Sequence, residues 1–582
     1  MSNQRDIELS AVPSEVKHDS GKIDSELGDD SVSQYMSPQN SVAEDLTRWG
    51  RFKDSFARQT YTDVDAGKQL AKGISKHHLI LMALCTGLGT GLLVGSGGVL
   101  SKSGPLFILI GYGIVGSFLY PTLQAAGEMA VNYSELSGGY NNYPRKFVDE
   151  SLAFAVTWNY CIQWLSVIAI ELVTAAMTIE YWTEKINPDV WVTIIYLVVI
   201  FINFNGSKGY GEGEFILGSC KILMIVGFII MGIVVNVGGG PEGEFIGGRY
   251  WHNPGFHTNF KGLCSVFVTG AFSLGQSEFV ALSAAEQQNP RKSIPSACKL
   301  IFWRILIIFL GSLTIVGLLV PYTSDRLLGS HGGGSHASPY VLAAELHGVK
   351  AVPSIINSVI MLSVTSVASS ALYSASRTLQ SLAEQHFAPT WFNYIDKSGR
   401  PLRALVVCTI IGTFSFIAAY KKQETVFNWL LAISGLSQIF TWGSICISHV
   451  RFRYCLKYNN ISLDSLGYVS STGVWGSYYA IIWYALVLIA QFWIALYPVG
   501  ASKPDANNFF QSYLGAIVLI LFYLGHKIYT KNWKLYIKVE DMDIYTSRTI
   551  FDEEVLNLEK QEELEKFQRH SFFRKTLKVL FY

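Results

Sequence analysis

The sequence predicts an all-α polytopic membrane protein with about twelve transmembrane helices, each needing roughly 20 apolar residues to cross a bilayer. Three observations predict it. Of the 582 residues, 50% are hydrophobic and only 15% are charged, whereas soluble domains carry about 25% charged residues. Apolar segments of spanning length recur along the chain with short polar connectors between them. Two of these segments are interrupted near their middle by clustered glycines, which are poor helix formers. The net charge of +1 gives no electrostatic footprint for a nucleic-acid partner. The eight cysteines show neither metal spacing nor a secreted disulfide pattern and read as small core residues, so no metal and no cofactor are expected.

Residues 1–78 are polar and aperiodic, which predicts a disordered tail. Lys17 and Lys22 within it are open to modification, and Arg51, Lys53, Lys72 and Lys76 crowd the approach to the first span. By the positive-inside tendency that places the tail in the cytoplasm. Residues 79–530 form the transmembrane domain, with apolar segments near 79–100, 105–130, 152–182, 189–204, 213–237, 261–285, 298–321, 352–384, 403–420, 426–450, 477–498 and 510–529. An even number of crossings returns residues 531–582 to the cytoplasm as a C-terminal tail. Within it, Val555, Leu556, Leu558, Leu564 and Phe567 space an amphipathic helix along the membrane face or the inner loops. His331 and His336 flank a glycine run that reads as a flexible connector rather than a metal site.

The first interruption is Cys85-Thr86-Gly87-Leu88-Gly89-Thr90-Gly91. A helix broken there leaves N–H groups at the start of its second half, where the helix dipole also favours an anion. That is a trap for a carboxylate. The same glycines would equally suit a small-residue packing face between helices, which needs no ligand. The second interruption lies at Phe272-Ser273-Leu274-Gly275-Gln276-Ser277-Glu278. Two discontinuous helices in corresponding positions of two halves point to a transporter's substrate site.

Charges inside spans are costly, at least about 2.5 kcal/mol each, so each is a functional candidate. Glu128, Glu171, Lys221 and Glu278 are the clearest. Lys221 lies a turn or two beyond Glu212 and Glu214 and either snorkels to the inner surface or serves a buried relay. Glu278, just past the second break, is either a proton site or a partner for the broken backbone. Glu128 and Glu171 suit structural pairing at least as well. Burial draws lysine and glutamate toward exchanging protons near neutral pH, so protons rather than sodium are the expected coupling ion.

Met82 to Gly95 resembles the first-helix signature of the fungal amino-acid permeases, of the amino acid/polyamine/organocation superfamily. Matching blocks follow in colinear order: Gly127-Glu128-Met129-Ala130, Glu171 to Ile179, Asn289-Pro290-Arg291-Lys292-Ser293-Ile294-Pro295, Tyr373-Ser374-Ala375-Ser376-Arg377 and Gly399 to Ala404. The resemblance implies a five-plus-five inverted repeat with discontinuous helices one and six and two added C-terminal helices. It implies that Thr86, Gly87, Leu88, Gly89, Thr90 and Gly91 hold the α-carboxylate of an amino acid. Phe272, Ser273, Leu274 and Gly275 would complete the site, with carbonyls taking the α-ammonium and Phe272 capping it. Lys221 would stand in for sodium, touching first-helix carbonyls near Thr86 and the hydroxyls of Ser369 or Ser370. Cys85-Thr86-Gly87-Leu88 looks more like the branch importing glutamine, asparagine and branched-chain substrates than the general permeases.

The expected function is proton-coupled import of a broad range of neutral amino acids across the plasma membrane by alternating access, with both termini cytoplasmic. The partners are the amino acid, protons, the lipid bilayer and ubiquitin-ligase adaptors on the tails. No nucleophile–base–orienter set marks an enzyme. A nutrient receptor that signals with little net transport is the alternative, separated from it by uptake of labelled amino acid into whole cells. An ion channel would need a charged ring or filter motif.

Overall fold

The computed structural model describes residue 50, residues 53–58 and residues 72–565, apart from scattered single positions and the stretches 253–259, 328–337 and 417–422. Lys17, Lys22, His331 and His336 lie outside the described residues. Two compact units divide the chain, Met1–Asp54 and Ser55–Tyr582, and the spanning helices belong to the second.

Helix is nearly the whole of the described structure. In chain order the principal elements are α1 (Lys76–Cys85), α2 (Ser96–Asn132), α3 (Glu150–Ile179), α4 (Pro188–Phe204), α5 (Gly206–Val234), α6 (Phe260–Leu274), α7 (Phe279–Leu282), α8 (Pro290–Trp303), α9 (Gly311–Leu319), α10 (Val352–Glu384), α11 (Leu402–Gly412), α12 (Gln423–Tyr458), α13 (Gly473–Leu496) and α14 (Ala506–Thr530). Nine stretches of described helix are long and apolar enough to cross a membrane, and Asp189–Phe204 and Leu402–Gly412 are shorter apolar helices. The chain is a multi-pass membrane protein.

Local chemistry sets the helix ends. Asp149 and Asp505 cap α3 and α14, accepting from the N–H groups of Leu152 and Asn508 at 3.0 Å each. Asn187-Pro188 and Asn289-Pro290 open α4 and α8 with a side-chain cap followed by proline in the first turn. The stretch Gly91–Asn132 runs for 42 residues, about 60 Å of helix and roughly twice the hydrocarbon core. It is two crossings, separated at Gly104 (φ 75, ψ 171), where Pro105 follows at once and no loop intervenes.

Packing places the breaks in the interior. α3 lies between α10 and α12, α2 packs on α6, and α1 lies against α5 and α8. Outward faces are apolar, as a helix bathed in lipid requires: Phe201 (71% exposed), Leu223 (72%), Ile489 (67%) and Leu521 (63%) lie on α4, α5, α13 and α14.

Segments flanking the bundle are tied to it. Before α1, Ile74 forms an isolated parallel bridge with Gln287, its N–H donating to Glu286 O (3.0 Å) and its carbonyl accepting from Gln288 N–H (3.1 Å). Earlier still, Ser55 Oγ accepts from Arg400 Nη2 at 3.2 Å, and Ala57 O accepts from Lys397 N–H at 2.9 Å. After α14, Ile537 N–H donates to Val148 O (2.7 Å) and Thr549 N–H to Asn132 O (2.8 Å). The described residues between Glu554 and Glu565 are helical; Leu556 is buried, Glu559 pairs with Arg291 at 2.6 Å, and Val555 and Leu558 are exposed. Leu564 and Phe567 have no described side-chain placement.

Candidate substrate site

The two interruptions meet. α1 stops at Cys85, Gly87 takes a left-handed φ of 82°, and helix resumes at Thr90 through a π turn, Gly91–Gly95. α6 stops at Leu274, Gln276 takes φ 64°, and α7 begins at Phe279. A Cβ on Gly87 would stand 2.7 Å from Gly275 O and 3.1 Å from Ser273 O. One on Gly91 would stand 2.8 Å from Ser273 Cα and 2.9 Å from Phe272 Cδ1, and one on Gly89 2.7 Å from Val367 Cγ2. The glycines therefore do two things: they let the helix break, and they let the two breaks touch.

The polar groups of the breaks have specific partners. Gly87 N–H, expected to hold a carboxylate, donates to Gln276 Oε1 at 3.3 Å. The Thr86 hydroxyl turns back to Met82 O at 2.5 Å. Phe272 O accepts from Gly275 N–H at 3.1 Å, and the Ser273 hydroxyl pairs with Tyr112 (2.8 Å) and donates to Thr269 O (2.7 Å). Leu88 and Leu274 are fully buried packing residues. Phe272 lies across Gly91, with its Cβ near Gly435 of α12.

One turn beyond Ser273, a cleft of about 400 Å³ opens among Gly95, Val99, Lys102, Thr269, Ala432 and Gln491. Past the second break, aromatic rings pack together. Tyr210 stacks on Tyr373 at 4.3 Å, and Phe279 lies within 5.5 Å of both. Behind them Arg377 pairs with Glu286 through Nε (3.0 Å) and Nη2 (3.3 Å), its guanidinium 3.6 Å from the Tyr373 ring centre.

The interior charges fall into separate arrangements. Thr90 donates to Glu171 Oε1 at 2.8 Å, and Glu171 Oε2 is buried with no hydrogen-bond partner. Glu278 is held by neutral donors, Trp442 Nε1–H (3.0 Å) and the Tyr160 hydroxyl (3.3 Å), and Tyr160 accepts in turn from Tyr140. Lys221 is fully buried rather than snorkelling. It donates to Ser366 Oγ at 2.6 Å and lies 3.4 Å from Glu214 Oε1, while Ser366 donates to the other Glu214 oxygen. The hydroxyl that meets Lys221 is thus Ser366, one turn before the expected pair. Ser369 Oγ accepts from Asn203 Nδ2 (3.0 Å) and Ser370 shares a proton with Tyr210 (2.8 Å). Glu128 is clamped at the far end of α2 by Arg453 Nη2 and Ser470 N–H, both at 2.6 Å, away from the breaks.

The first-helix carbonyls near Thr86, expected to meet Lys221, are taken instead by Arg304. Arg304 donates through Nη1 to Ala83 O (3.1 Å) and Thr86 O (2.6 Å), and through Nη2 to Ser277 Oγ. Its signal in the sequence was a lone basic residue within an apolar span. Gln276, Ser366 and the Arg377–Glu286 pair also went unassigned. No group of three or more His, Cys, Asp or Glu among the described residues is placed to hold a metal ion.

Two broken helices thus meet through their glycines, with the buried carboxylates Glu171 and Glu278 nearby. Comparison with known proteins shows the family. The family model described as Amino acid permease matches residues 78–539. The chain belongs to the amino acid permease family. It is a transporter of amino acids across a membrane, not an enzyme. The permease is 49% identical over 552 residues to the general amino acid permease AGP1 of Saccharomyces cerevisiae, covering 94% of this chain and 87% of that one. It is 49% identical over 538 residues to a high-affinity glutamine permease of the same yeast, covering 89% and 81%. With that yeast's general amino-acid permease GAP1 it shares 45% identity over 575 residues, covering 95% of each.

Proposed function

We propose that this permease imports a broad range of neutral amino acids across the plasma membrane by alternating access, driven by protons. The observation that carries the reading is the contact of the two breaks, Gly87 against Ser273 and Gly275, with Gln276 on the Gly87 N–H. An amide oxygen there stands where a substrate carboxylate would accept the same hydrogen bond. Carboxylate would bind over residues 86–91 and ammonium against the carbonyls of residues 272–275, with Phe272 as the cap. The cleft at Thr269 would be the outer approach, and the Tyr210–Phe279–Tyr373 stack with Arg377–Glu286 the inner closure. That assignment puts Lys76 at the inner side and both termini in the cytoplasm, where ubiquitin-ligase adaptors would meet the tails.

Three buried groups support protons as the driving ion: Glu171 and Glu278, each held by neutral donors, and the Lys221–Glu214 pair. A carboxyl in such surroundings gains and loses a proton far more readily than it binds a hydrated cation. The relatives' names, two general permeases and a glutamine permease, support breadth among neutral substrates.

The test is uptake of labelled amino acids by yeast cells stripped of their own permeases and expressing this chain. Expected is accumulation above the outside concentration, abolished by a protonophore, with neutral amino acids competing better than acidic or basic ones. Binding without accumulation would instead favour a receptor, and accumulation that survives the protonophore would remove the proton.

A further inference from the structure

α1 is fastened at both ends to the sixth span's break and inner half. At its start, the Ile74 bridge joins it to Glu286, Gln287 and Gln288. At its end, Met82 O and Cys85 O are taken by nearby N–H groups, while Ala83 O and Thr86 O are left for Arg304. The same guanidinium reaches Ser277 through its other terminal nitrogen, and Ser277 in turn donates to Leu274 O at 2.5 Å. A continuous chain of hydrogen bonds therefore runs from the last carbonyls of α1 to the end of α6. Arg304 itself opens a π turn, Arg304–Leu310, between α8 and α9, and it is wholly buried. π turns inside otherwise regular helices mark functional positions more often than chance.

We propose that Arg304 is a positioning residue that joins α1, the segment 276–288 and the α8–α9 helix into one moving unit. Its guanidinium is a rigid fork with donors pointing two ways, so it binds α1 and Ser277 at once. It stays charged at all working pH values and so holds the joint without carrying a proton. The bland reading is that Arg304 only satisfies orphan carbonyls at a helix end in lipid. That reading needs Ala83 and Thr86 but has no use for Ser277. The proposal rests on alternating access at the two breaks, and wild-type uptake, measured in the same assay, reports on that reading separately.

The experiment compares Ser277→Ala, Arg304→Lys and the double variant, with uptake normalised to copies at the cell surface. A lysine has one compact charge and cannot span both partners. Expected is a fall in maximal rate of about tenfold for each single variant, the scale of one lost hydrogen bond to a charged group. KM should stay within about twofold, because transition-specific coupling rather than substrate contact is lost. The double variant should be no slower than the slower single one, since both changes cut the same connection. Wild-type rates for Ser277→Ala, or losses that multiply in the double variant, would overturn the proposal. If Arg304→Lys fails to reach the surface, Ser277→Ala decides alone.

Discussion

Thr90 of the first span donates its hydroxyl to Glu171 of the third, and the second oxygen of that carboxylate has no partner in its buried site. Unpartnered buried carboxylate oxygens are rare and costly, which makes this one a place where a proton or an ammonium group belongs. The bonded oxygen, Oε1, lies 3.6 Å from where a Cβ on Gly89 would be, so the carboxylate sits beside the first break. Glu171→Gln should abolish uphill accumulation while leaving exchange of labelled for unlabelled amino acid measurable. A variant that accumulates normally would move the proton to Glu278, where Glu278→Gln should then give the same split.

Gly91→Val should abolish uptake with normal delivery to the membrane, and Gly91→Ala should nearly do so. The first atom added already meets Ser273 Cα at 2.8 Å. Gly87→Ala adds a left-handed φ to a comparable overlap, a backbone cost of about 1–2 kcal/mol before any clash. Uptake by Gly91→Ala at wild-type affinity would disprove the contact of the breaks.

Lys221, Glu214 and Ser366 bond one another within the bundle, and Cys85 of α1 also donates to Glu214 Oε1 at 3.4 Å. Removing one member of a buried ion pair typically costs about 3–5 kcal/mol, so Lys221→Ala and Glu214→Ala should both lower surface expression and abolish accumulation. Lys221→Arg keeps the charge but cannot release its proton, and should also lose accumulation. Ser369→Ala, one turn away and bonded to Asn203, should transport normally. Loss in Ser369→Ala equal to that in Ser366→Ala would restore the pairing the sequence suggested.

Gln276 offers a sharper test of the carboxylate site. If its amide holds the Gly87 N–H only until substrate arrives, Gln276→Ala frees that donor, and KM should fall by a factor of about three to ten, the scale of one neutral hydrogen bond. A raised KM with unchanged maximal rate would instead make Gln276 a substrate ligand.

Much of this was legible because it is local. Glycines clustered inside apolar runs marked both breaks, whereas the helix expected from 298 begins at Pro290, because its capped first turns are polar and carry no apolar signal. The eighth apolar segment, 352–384, matches α10 end to end. What was not legible is which turn faces which. Ser366, Ser369 and Ser370 are three and four apart and share one helix face, so the sequence could not say which meets Lys221. Gly87 and Gln276 lie 189 residues apart, and only folding brings them together. Arg304 lies inside the 298–321 segment, and nothing local to it says that it faces the end of α1 and Ser277.

The bend at Gly104 bears on where motion is possible. With no connector between them, the Gly91–Ser103 part of the first span and the second span meet directly at Gly104, so turning one limb would turn the other. The helix is interrupted instead at Thr86–Gly89, so under the proposed alternating access α1 would be the arm that turns. Ten residues make an arm about 15 Å long, and a tilt of roughly 20° would sweep its Lys76 tip through about 5 Å. A spin label at that tip, paired with one on α3, should report this sweep when substrate is added, while a pair across the Gly104 bend should hold its spacing.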